Sequence, residues 1–180
     1  MPDAPSPSHI FQSYQDEIDL LESSGRTGAP TFDPRSAHFG QPFDDFSAAL
    51  SALRDEVEAR AYLAIVAAGE AVLQMDFRAR ASCRASVPLR SEARGLLRAE
   101  KEKRRRIVVD DILDAWTGLP EIRKSALSNY KQLLSHRHWL AHGRYFSRPT
   151  PVPADPGFAF QRTEEMLGEI LRVEPLFPRR

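Results

Sequence analysis

The sequence predicts an all-α fold, and three observations carry that prediction. Apolar residues recur in steps of three and four along most of the chain, the period-two alternation of half-buried strands is absent, and the periodic stretches end at prolines and glycines. Neither an internal repeat nor a glycine-rich phosphate loop after a strand interrupts this pattern.

A chain of 180 residues suits one domain with a single core. Its 25 basic side chains balance 25 acidic ones, so bulk charge neither recommends nor excludes nucleic acid, and any basic footprint must be local. Cys83 is the single cysteine and can form no internal disulfide, no charged-then-apolar leader opens the sequence, and the apolar run near Ala61 to Ala68 is far short of a bilayer span. These features lead to the expectation of a cytoplasmic protein without a membrane role.

Taken in order, residues 1–9 read as a disordered tail, because M-P-D-A-P-S-P-S is rich in proline and serine. Residues 10–42 hold a first helix, from Ile10 to Glu22 with Ile10, Tyr14, Ile18 and Leu21 at helical spacing, and then a long loop. That loop, Ser23 to Pro42, collects Gly25, Gly28, Pro30, Pro34, Gly40 and Pro42, and its length suggests a mobile or partner-ordered segment. Residues 43–147 form the expected bundle core. Its long helix, from about Asp44 to the low 80s, carries a stripe through Phe46, Leu50, Leu53, Val57, Ala61, Ala64, Ala68, Val72 and Met75. Tyr62, Val66, Leu73 and Phe77 make a second apolar face, which marks the helix as central. Val87-Pro88 ends the segment.

A further helix opens at Ser91 and Arg94, with Leu97, Val108, Ile112 and Trp116 near one face, and stops at Gly118 and Pro120. The next starts near Glu121 and buries Ile122, Ala126, Tyr130, Leu133 and Leu134. Residues 148–180 comprise a proline-rich connector and a last short helix near Thr163 to Val173. The residues thus predict four or five helices arranged as a bundle.

Chemistry concentrates in Ser135 to Phe146, S-H-R-H-W-L-A-H-G-R-Y-F, with three histidines and two arginines. Extending the buried stripe beyond Leu133 and Leu134 brings Arg137 to a position the core should own, and a guanidinium there needs an anion beside it. Glu70 or Asp76 on the central helix could supply it and orient Arg137; alternatively Glu70 faces outward with Gln74. On an ideal helix His138 and His142 lie about 40° apart, whereas Arg137 and His142 lie about 140° apart. Arg137 and His142 therefore converge on one ligand only if the last turn distorts at Gly143 or if two copies of the segment face each other.

The run Lys101 to Arg106, including Arg104 and Arg105, could follow an RNA backbone, although its interleaved Glu100 and Glu102 suit a solvated face better. Arg144 is better placed for a phosphate. As alternatives, His142 could cap a helix C-terminus and Arg137 could serve a structural ion pair. The His138 and His142 pair lacks the glutamate of an HExxH metal site.

The string Arg137-His138-Trp139-Leu140-Ala141-His142-Gly143 resembles the signature of the HEPN superfamily, the higher eukaryote and prokaryote nucleotide-binding domains: arginine, four to six residues, histidine, with a polar residue favoured after the arginine. The likeness covers Asp44 to Phe146. It implies an up-and-down four-helix bundle with an added short helix, and a homodimer whose paired motifs form a metal-independent endoribonuclease cleft with no cofactor. It further implies His142 as acid-base group, Arg137 as phosphate holder and His138 as auxiliary donor, in a toxin or phage-defence enzyme that cuts RNA and is restrained by an antitoxin. Some family toxins are silenced by a nucleotidyltransferase at a tyrosine two residues after the histidine; here Arg144 holds that place and Tyr145 follows it. The rival expectation is a non-catalytic module of the same fold that binds a nucleotide or a protein.

Overall fold

A computed structural model describes residues 6–27, 29–84, 86–103, 106–141 and 153–173. Among these the chain is all-α, a helical bundle without strands. Its helices are α1 (Pro7–Thr27), α2 (Phe43–Ser82), α3 (Arg90–Lys103), α4 (Val109–Thr117), α5 (Lys124–Ala141) and α6 (Pro156–Arg172), with a 3-10 turn at Ala29–Thr31. No described helix is long and apolar enough to cross a membrane.

The six helices among the described residues exceed the four or five expected, because the stretch read as one helix from Ser91 to Trp116 is broken. Three consecutive β-branched residues, Ile107 to Val109, lie at the break, and β-branching restricts side-chain freedom against a preceding helical turn. Val108 is extended (φ −94°, ψ 156°), and α4 restarts behind it. Carboxylates take up the donors freed there: Glu100 Oε1 accepts from the Ile107 N–H at 3.1 Å, and Asp111 Oδ2 accepts from the Val108 N–H at 3.3 Å.

Both terminal helices are longer than their apolar spacing suggested. Ser6 begins α1, its Oγ accepting from the His9 N–H at 3.2 Å with Pro7 in the first turn. Asp155 does the same for α6, accepting from the Phe158 N–H at 2.8 Å ahead of Pro156. That helix is no short appendage: Ala159, Thr163, Met166, Leu167 and Ile170 are all buried.

Helix α2 organises the rest and touches every other helix. Its buried residues include Val57, Ala61, Ile65, Gly69, Leu73, Phe77 and Ala81, a row that advances four residues at a time. Each such step turns the face by about 40°, so the buried line winds around the helix and different neighbours must cover it in succession. Both apolar faces contribute to the core: Tyr62, Val66, Leu73 and Phe77 are fully buried, and the other stripe is buried at Phe46, Val57 and Ala61 but has turned to solvent by Met75, which is 57% exposed.

Helix α5 runs antiparallel to α2. The Tyr130 hydroxyl donates to the Val66 carbonyl at 2.7 Å, and further along α5 but further back along α2, the Tyr62 hydroxyl approaches the Leu133 carbonyl at 3.4 Å. Gly69 permits this approach: a Cβ there would lie 2.7 Å from the Tyr130 hydroxyl and 2.6 Å from Thr163 Cγ2.

Candidate functional site

The last described turns of α5 carry Arg137 and His138, and α2 carries the carboxylate that meets them. In an antiparallel pair of helices the side chains of each lean toward their own N-terminus, so residues beyond the level of closest contact reach back toward each other. Arg137 lies past Leu133 on α5, Glu70 lies past Gly69 on α2, and their side chains close that offset. Arg137 Nη1 donates to Glu70 Oε2 at 2.6 Å. Glu70 Oε1 accepts from Gln74 Nε2 at 3.3 Å, so Glu70 serves both Arg137 and Gln74, and the two alternatives weighed for it coexist.

Arg137 is not a core residue. Its side chain is 37% exposed and that of Glu70 is 23% exposed. The expected stripe is corrected by one position: Ala126, Leu127, Tyr130 and Leu133 continue to His136, which is fully buried, and Arg137 is turned toward the edge. His136 sits between aromatic rings, 5.2 Å from Tyr62 and 5.5 Å from Trp139 between centroids. Sequence reasoning overlooked it, although a step of three from Leu133 reaches it as readily as a step of four reaches Arg137.

Arg137 opens onto a groove of about 570 Å³. Leu63, Ala64 and Ala67 of α2 form part of its lining, with Arg60 and Ala141 also beside it. Small side chains keep that stretch of α2 low, which leaves room for a ligand or another helix. His138 is exposed on the same helix end. Beneath, Tyr130 has its pKa raised by burial first and by the charge of Glu70 second, with Arg137 opposing. The phenol thus stays protonated and continues to donate to α2.

Asp76 does not orient Arg137. It forms a separate buried pair with Arg80, Nε to Oδ2 at 2.7 Å and Nη2 to Oδ1 at 3.2 Å. His142, Arg144, Arg104 and Arg105 lie outside the described residues, as do Gly143 and Tyr145. Among the described residues no three histidine, cysteine, aspartate or glutamate side chains converge as metal ligands would.

Comparison with protein-family models, curated proteins and solved structures finds no match to this chain.

Proposed function

We propose that the chain is a metal-independent endoribonuclease of the HEPN type, which cleaves RNA by attack of a 2′-hydroxyl on the adjacent phosphate. The observation that carries this reading is Arg137, an arginine followed after four residues by His142-Gly143, standing half-exposed at a groove with one nitrogen held by Glu70. Two of its three guanidinium nitrogens make no bond to Glu70. A planar fork so held suits two phosphate oxygens and the charge that develops on a phosphorane. His142, whose ordinary pKa is near working pH, supplies the proton transfers, and His138 assists.

On this reading α2 to α5 correspond to the family's up-and-down four-helix core, with α6 as the added helix. The low alanine-lined stretch of α2 beside Arg137 is the surface on which a second copy would seat, bringing two motifs together in a homodimer. Arg144, and Arg104 with Arg105, would add contacts to the RNA backbone, and an antitoxin of the nucleotidyltransferase type or another class would restrain the enzyme. The rival reading, a non-catalytic nucleotide- or protein-binding module, draws on the same pair, since a guanidinium engaged by a carboxylate also serves architecture.

Purified protein incubated with single-stranded RNA in EDTA separates the two. The nuclease reading expects 2′,3′-cyclic phosphate ends from the wild type and none from His142→Ala or Arg137→Ala, both still helical by circular dichroism. Intact RNA across varied wild-type substrates would overturn it in favour of the binding module.

A further inference from the structure

From the pairing on α2 and α5 we infer that Glu70 is a positioning residue that presents Arg137 to a phosphate oxygen pair, an inference that rests on the endoribonuclease reading. A negative charge beside a phosphate site ordinarily weakens anion binding by repulsion. Glu70 has a compensating geometric role. Arg137 reaches it across two helices at 2.6 Å through Nη1 alone, and Glu70 is itself steadied by Gln74 at 3.3 Å. The turn of α2 that bears Glu70 is pinned as well, because the buried Tyr130 phenol bonds the Val66 carbonyl and Gly69 removes the side chain that would hold α5 away.

The chain of restraint therefore runs from the core outward. Tyr130 and Gly69 set the spacing of α2 and α5, Glu70 and Gln74 stand on the fixed turn, and Arg137 is drawn against Glu70 at the groove edge. Without Glu70, a long arginine side chain at a half-exposed site samples many rotamers, and a fork that must meet two oxygens at once loses the most from that freedom.

Electrostatics and positioning predict opposite signs, which makes the inference testable. Inorganic phosphate is titrated into the ¹⁵N-labelled full chain while the arginine Nε–Hε signals are followed, with Arg137 assigned as the signal missing from Arg137→Lys. The wild-type Arg137 signal should shift with phosphate, and Glu70→Ala should weaken that response by about tenfold despite removing a negative charge. Glu70→Gln, which keeps an oxygen acceptor for Nη1, should recover most of it. Unchanged or tighter phosphate binding in Glu70→Ala, or no wild-type response, overturns the inference.

Cleavage kinetics form the second arm. Glu70→Ala should lower kcat by about tenfold or more with KM changed by less than about threefold, and Glu70→Gln should restore part of the loss. An unchanged or raised kcat again overturns it. If the wild type cuts no RNA, the endoribonuclease reading fails by itself, and the phosphate titration still decides what Glu70 does for Arg137. Should Glu70→Ala lose its helical spectrum, Glu70→Gln against the wild type carries both comparisons.

Discussion

Two arginine–carboxylate pairs built on α2 show how the same chemistry divides between architecture and a site. Arg80 and Asp76 stand four residues apart on one helix, 0% and 1% exposed. The guanidinium is engaged on every side: two bonds go to Asp76, one to the Val173 carbonyl at 3.1 Å and one to the Pro88 carbonyl at 3.5 Å, and it lies 4.6 Å from the centre of the Trp116 ring. It joins the end of α2 to the turn before α3, to α4 and to the end of α6. Arg137 and Glu70, by contrast, bridge two helices through one bond and stay in reach of solvent. The difference teaches that an arginine's role is read from how much of its fork is left over, since both have a carboxylate within hydrogen-bonding distance.

The largest effect is expected where the fork is fully used. Asp76→Ala strands a buried guanidinium and should cost about 3–5 kcal/mol in chemical denaturation. The double variant Asp76→Leu with Arg80→Met removes both charges and should recover much of that loss, though the Val173 and Pro88 carbonyls lose a donor. A double variant no more stable than Asp76→Ala would show that the pair's worth lies in its carbonyl bonds.

How much of this was legible in the sequence differs between the two pairs. Periodicity identified the helices and the central α2, because burial of a helix face is written in the spacing of its own residues. It did not say where along α2 each apolar face is covered, since that depends on which neighbours arrive, and it joined α3 to α4 because a face can stay in register across a break. The partner of Arg137 was legible as a choice between Glu70 and Asp76. The antiparallel lean of two helices decides for Glu70, and Arg80, four residues from Asp76 on the same helix, takes the other carboxylate. His136 was missed because steps of three and four are equally helical, and only the packed neighbour selects between them.

A smaller effect should follow from disturbing the spacing on which the exposed pair depends. Gly69→Ala forces a methyl group to within 2.7 Å of the Tyr130 hydroxyl and 2.6 Å of Thr163 Cγ2. Overpacking of this kind costs about 1–3 kcal/mol, and it should loosen α5 from α2. Cleavage should suffer more than stability if the comparison is sound. The opposite ranking, read from thermal melts beside kcat, would detach the Arg137 site from this contact.

Tyr130→Phe perturbs the same junction more gently, removing one buried hydrogen bond worth about 0.5–1.5 kcal/mol. It also carries a signature in pH. The folded-state pKa of Tyr130 is raised, chiefly by burial, so below about pH 10 both states keep the proton and the group adds no pH dependence. Above that the unfolded chain ionises while the folded chain does not, and stability falls by up to about 1.4 kcal/mol per pH unit from this group. Urea titrations between pH 9 and 11 should therefore show a steeper alkaline loss in the wild type than in Tyr130→Phe. Equal slopes would mean that the phenol is not held in its protonated form.

The smallest stability effect should come from the pair that matters most to the proposed chemistry. Arg137 and Glu70 are 37% and 23% exposed, and ion pairs so placed couple by about 0–1 kcal/mol. A double-mutant cycle of Arg137→Ala and Glu70→Ala by chemical denaturation should fall in that range, against several kcal/mol for the Arg80–Asp76 cycle. The two cycles thus rank in the reverse order of their expected effects on RNA cleavage. A coupling above about 2 kcal/mol between Arg137 and Glu70 would place the pair with Arg80 and Asp76 as architecture, because so large a value requires a fork already spent on the fold.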